Sequence, residues 1–120
     1  KTETLDWTYN AEQKTLRLVH AGKTFNCCVN MTLSASKDDD TFVLEELADE
    51  SMPCDCECKF DFEFVLSDID LDTVPIRIVS SFVSGTGKTI WEGDLDLTEG
   101  SGSILIDNSH IDDGCVQLAS

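Results

Sequence analysis

Between Cys54 and Phe64 the chain reads CDCECKFDFEF, and two classes of residue alternate without a slip. Cys54, Cys56, Cys58, Phe60, Phe62 and Phe64 hold every second position, with Asp55, Glu57, Lys59, Asp61 and Glu63 between them. Side chains of an extended strand point alternately to its two faces. The pattern therefore predicts a β-strand running to about Leu66, with three thiols and three phenyl rings facing a core.

The same period recurs along the chain. Leu5, Trp7 and Tyr9 alternate before a turn at Asn10-Ala11-Glu12-Gln13, and Leu16, Leu18 and His20 share one side of the next run. Ala21-Gly22-Lys23 loosens the chain, after which Phe25, Cys27, Val29, Met31 and Leu33 are expected along one face of a further strand. Ser36 to Asp40 is a polar turn, Thr41 to Leu47 a strand, and Ala48 to Pro53 a loop. Beyond the cysteine strand, Val74 to Val83 is β-branched, and Pro75 marks its beginning or a sheet edge. Ser84-Gly85-Thr86-Gly87 reads as a hairpin loop, with Thr89 to Leu97 returning from it. A break at Glu99-Gly100-Ser101-Gly102 precedes Ile104-Leu105-Ile106 and a last segment around Cys115 to Leu118. No stretch carries a convincing helical period, and VLEELADE, the best helix former, is left as β. Seven to nine short strands predict an all-β fold, an antiparallel immunoglobulin-like β-sandwich, as a single domain over residues 1–120.

Size agrees with one core: 120 residues, 41% of them hydrophobic. Charge narrows the partners. There are 24 acidic residues against 8 basic, a net charge of −16. Such a surface repels phosphate backbones and anionic membranes, so no nucleic acid partner is expected; a cation or a basic protein remains as a candidate partner, and the favoured reading is that the charge keeps an exported protein soluble and monomeric. No apolar stretch approaches the roughly 20 residues of a membrane span. The opening KTETLDWTYN has no apolar h-region, so the expectation of export carries with it a leader already removed.

Six cysteines, Cys27, Cys28, Cys54, Cys56, Cys58 and Cys115, form an even set in a small acidic β domain, which favours disulfides in an oxidising compartment. Neighbours at i and i+2 on a strand have Cα atoms about 7 Å apart, at the limit of a disulfide. Cys54, Cys56 and Cys58 should each find a partner among the other three, which leaves about six of fifteen connectivities. Cys27 and Cys28 would face opposite sides of a regular strand, so a β-bulge at Asn26-Cys27-Cys28 is needed to re-aim one of them. Two readings compete. A zinc or cuprous copper site would use Cys54, Cys56 and Cys58 with Cys27 or Cys28 and His20, although three sulfurs strung along a strand make a poor tetrahedron. Redox catalysis lacks the C-x-x-C motif.

Leu16-x-Leu18-x-His20, Phe25-Asn26-Cys27-Cys28 and Cys54-x-Cys56-x-Cys58 together resemble small β-sandwich domains of exported bacterial proteins, many of them predicted lipoproteins of unknown function. The resemblance covers roughly residues 14 to 66. It lapses where those domains would have Gly-x-Tyr and this chain has Asp72-Thr73-Val74-Pro75. It implies export and a β-sandwich, and carries no activity.

The remaining candidates are weaker. His20, on the face of Leu16 and Leu18, is expected to be a core histidine bonded to backbone, with metal ligation as the alternative; His110 is expected in a solvated loop. Asp68, Asp70 and Asp72 have the opening spacing of a calcium loop but lack its glycine and closing glutamate, and Ile69 and Leu71 between them read as core anchors. Asp38-Asp39-Asp40, Asp94 with Asp96, and Asp112-Asp113 are read as solvated acidic turns. Asn30-Met31-Thr32 matches a glycosylation pattern by its three residues alone. Gly85-Thr86-Gly87-Lys88-Thr89 ends like a phosphate-binding loop but joins two strands. No catalytic motif is present, so no catalytic residue or cofactor is assigned and the chain is read as a non-enzyme. Trp7 and Trp91 would serve a carbohydrate-binding module if exposed, but their alternation places them in the core. The expectation is a monomeric, disulfide-stapled binding or structural module, extracellular, periplasmic or on the cell envelope. Its partner would be an unknown protein or saccharide.

Overall fold

The computed structural model describes residues 2–108 and 115–117. Among these residues nine strands run in chain order: β1 Thr2–Asn10, β2 Thr15–Asn26, β3 Asn30–Asp38, β4 Thr41–Asp49, β5 Cys56–Leu66, β6 Thr73–Phe82, β7 Lys88–Asp96, β8 Ser101–Asn108 and β9 Cys115–Gln117. They make two sheets, ordered β8-β1-β2-β5-β9 and β3-β4-β6-β7. The fold is an all-β sandwich. Among the described residues every strand pairing is antiparallel except β4 with β6, which run parallel. The chain leaves β4, crosses to the other sheet as β5 and returns as β6, so β4 and β6 point the same way.

The alternation seen in the sequence is the origin of the core. Leu5 and Trp7 of β1, Leu16 and Leu18 of β2, Leu44 of β4, Phe62 and Phe64 of β5, and Val74, Ile76 and Ile78 of β6 are all buried between the sheets. Pro75 sits at the start of β6, one position before its ladder to β4 begins at Ile76. There its missing N–H breaks no bond to β4.

Two places depart from the expected outline. The chain does not break at Ala21-Gly22-Lys23; β2 continues to Asn26 through a bulge between His20 and Lys23. The extra residue shifts the period by one, so Leu16, Leu18 and His20 on one side of the bulge and Phe25 on the other all face inward. Gly22 sits at φ +78°, and a Cβ there would lie 2.6 Å from the Thr2 carbonyl oxygen. Only glycine fits that position. The reversal comes later, at Cys27-Cys28, between β2 and β3.

The loop between β5 and β6 is held rather than loose. Ile69 is buried, its N–H donates to the Lys14 carbonyl, and its own carbonyl accepts from the Tyr9 hydroxyl. Leu71, expected as a second anchor, is instead 48% exposed. Asp70 faces Lys14 at 3.2 Å, as a surface ion pair. Asp96 caps a 3-10 turn at Leu97–Glu99, accepting from Thr98 N–H, and that turn carries the chain from β7 to β8. Gly85-Thr86-Gly87 joins β6 to β7 as a hairpin loop, with Gly85 N–H donating to the Phe82 carbonyl. His110 and Asp112-Asp113 lie outside the described residues.

Candidate functional site

Two constellations hold the chemistry of this sandwich, one at the cysteine-rich end and one inside the core. At the end, all six cysteines are oxidised: Cys27 is bonded to Cys56, Cys28 to Cys54 and Cys58 to Cys115. This is one of the six pairings that strand geometry allows. Both of the adjacent thiols find a partner because they sit in the turn after β2, where successive side chains need not point to opposite faces. No bulge at Asn26-Cys27-Cys28 is required.

The side chain of Asn26 builds that turn. Its Oδ1 accepts from Cys28 N–H at 2.9 Å and from Cys54 N–H at 3.0 Å, while its Nδ2 donates to the Cys54 carbonyl at 2.8 Å. Its own N–H donates to Glu50 Oε2 at 2.7 Å, and Cys27 N–H donates to the Cys56 carbonyl at 3.1 Å. Sequence reasoning took Asn26 as part of a resemblance and missed this role; an asparagine directly before a turn is the signal it left.

The predicted row of inward side chains on β5 fades toward its start. Phe62 and Phe64 are buried and Cys58 is 9% exposed, Phe60 and Cys56 are half-buried, and Cys54 lies before the strand, exposed. Cys54 therefore does not face the core as expected. The candidate metal set is also rearranged. Among the described residues, the sulfurs of Cys27, Cys28 and Cys54 lie within 4.8 Å of one another, without His20 or Cys58. Beside this cluster, Phe25 packs tilted or edge-on against Phe60, Phe62 and Phe82, and Phe60 stacks on Phe62, with ring centroids 5.9 to 6.5 Å apart. Phe25 and the 41%-exposed Phe82 line an open cleft of about 280 Å³ with Lys23, Asn26, Glu50 and Glu57. The Lys23 ammonium lies 5.6 Å from the Phe25 ring centroid, as a cation–π contact.

Inside the core, His20 is fully buried, but its partners are carboxylates and not the expected backbone. Nε2 meets Glu3 Oε2 from the neighbouring β1, and Nδ1 meets Glu46 Oε2 from β4 across the sandwich, each at 2.5 Å. Glu46 is fully buried, and among the described residues its Oε1 has no hydrogen-bond partner. Two carboxylate acceptors on two ring nitrogens call for the imidazolium, since neutral imidazole donates only once. Burial lowers the His20 pKa, but hydrogen bonds and Coulombic attraction from Glu3 and Glu46 outweigh it and raise the pKa to about 9. With both nitrogens engaged, His20 has none to offer a metal.

Trp7 is buried over Gly102 and Trp91 is half-buried against Gly93, so Trp7 offers no face to a sugar ring. Among the described residues, no helix is long and apolar enough to cross a membrane. Compared with protein-family models, curated proteins and solved structures, the chain matches none.

Proposed function

We propose that this chain is a non-catalytic binding module of an oxidising compartment (extracellular, periplasmic or on the cell envelope) that docks a basic protein segment at its disulfide-bonded end. The supporting observation is the joining of all six cysteines at one end of the sandwich, where two bridges fix the β2–β3 turn beside an aromatic cleft and the third ties β5 to β9. A rigid end loses little conformational entropy on binding. The net charge of −16 draws a cationic partner, and Glu50 and Glu57 flank the cleft. The internal Lys23–Phe25 contact is an example of the cation chemistry that this aromatic surface accepts.

The test has two parts. Intact mass without reductant should lie about six hydrogens below the reduced chain, with no alkylation in denaturant; six alkylatable thiols would remove the basis of the reading. A short Lys/Arg-rich peptide, titrated at low ionic strength, should shift NMR resonances around Phe25 and Phe82, and Glu57→Gln with Phe82→Ala should weaken it. Shifts scattered over the whole acidic surface would mean charge attraction without a site.

A further inference from the structure

We propose that Cys27, Cys28, Cys54 and Cys56 form a redox-gated metal site, binding one zinc-class cation as a tetrathiolate when their two disulfides are reduced. Hydrogen bonds hold these residues together independently of their sulfurs. Cys27 N–H donates to the Cys56 carbonyl, which extends the β2–β5 register that pairs Asn26 with Glu57. Asn26 bonds the backbone of Cys28 and of Cys54 through three contacts. None of these bonds involves sulfur. Reduction therefore leaves the two backbone pairs in place, at their Cα separations of 5.5 and 5.6 Å.

Three of the sulfurs already lie within 4.8 Å of one another, and the fourth, on Cys56, is bonded to one of them. A tetrahedral tetrathiolate with Zn–S near 2.3 Å places its sulfurs about 3.8 Å apart, so closing on an ion takes side-chain rotation and no change of fold. The objection to a row of thiols on an extended strand does not apply here. Cys54 stands before β5, and Cys27 and Cys28 sit in a turn, so the donors converge from two segments instead of lying in line. Cys58 belongs to the separate bridge to Cys115, and His20 is committed to Glu3 and Glu46.

The chemistry balances with a dithiol reductant. Each disulfide takes two electrons and two protons from one dithiol, which becomes a disulfide in turn; two equivalents yield four thiols. Binding the divalent cation then releases four protons as the thiols become thiolates. Two equivalents of a small-molecule disulfide, each taking two electrons from a thiolate pair and two protons from solvent to become two thiols, restore the two bridges and release the cation.

Cobalt(II) is the probe, with the wild-type chain reduced by a phosphine and then titrated while sheet content is followed by circular dichroism. One equivalent should bring in thiolate charge-transfer absorption and tetrahedral d–d bands, with sheet signal present in the metal-bound form. The oxidised protein should show neither band. Alkylation with iodoacetamide, read residue by residue, should then show protection gained on metal addition at Cys27, Cys28, Cys54 and Cys56 and none gained at Cys58 or Cys115. Absence of the bands, binding to a chain without sheet signal, or protection of any other set of cysteines would overturn the site. None of those results would touch the oxidised binding module.

Discussion

Asn26 satisfies three backbone groups with one amide, and no other standard side chain of its length offers both an acceptor for two N–H groups and a donor for a carbonyl. Asn26→Ala should lower stability by about 1–2 kcal/mol in urea denaturation, because these bonds are solvent-exposed and each contributes modestly. Asn26→Asp keeps the acceptor and should recover part of that loss. Disulfide mapping after oxidative refolding should show mispaired Cys27, Cys28, Cys54 and Cys56 in the alanine variant, and native pairing there would deny Asn26 its organising role. Glu46 is the opposite case, a fully buried carboxylate whose removal strands a charge. Glu46→Ala leaves the buried imidazolium facing one carboxylate, and a loss on the order of 3 kcal/mol is expected. A loss below 1 kcal/mol would mean that the Glu46–His20 contact contributes little to folding.

Among the elements, β5 was the easiest to read because cysteine or phenylalanine alternates with charge without a slip from Cys56 to Phe64, and burial follows that period from Asp61 to Leu66. The β2 bulge was not legible. Gly22 sits among residues that suit a turn equally well, and only the register against β5 reveals an inserted residue inside a continuing strand. The parallel pairing of β4 with β6 was hidden for a related reason: a local pattern tells which face of a strand is dry but not which strand lies beside it. The Glu3–His20–Glu46 set left a trace that went unused. Glu3 precedes Leu5 and Trp7 in their own alternation, and Glu46 stands between Leu44 and Ala48, so both carboxylates occupied positions that the pattern assigns to the core. With 24 acidic residues in the chain, neither was conspicuous. The bulge itself can be tested with Gly22→Val. A β-branched side chain at φ +78° against the Thr2 carbonyl should cost more than the roughly 1 kcal/mol of an ordinary glycine replacement, read as a lowered urea midpoint. An unchanged midpoint would mean that the bulge relocates freely.

For the whole molecule, the sandwich measures 50 × 28 × 21 Å, and among the described residues its two sheets are joined in the core by one ionic contact, His20 to Glu46. Folding therefore depends on pH through that contact. His20 titrates at about 6.5 in the unfolded chain and about 9 in the folded one, so the folded state holds its proton more tightly. The stabilisation is fully present below pH 6.5, where both states are protonated. Between pH 6.5 and 9 the unfolded chain gives up its proton while the folded protein keeps it, and stability falls. Above pH 9 the folded state loses the proton too, and the contribution is gone. A shift of that size corresponds to about 3 kcal/mol across the window. Urea midpoints measured at pH 6, 7, 8 and 9 should decline steadily in the wild-type protein. His20→Phe, which keeps a ring in the core, should be less stable at pH 6 but nearly flat over the same range. A wild-type profile as flat as that of the variant would mean that His20 is buried neutral, with the proton on a carboxylate, and that the two sheets are held by a neutral hydrogen-bonded chain.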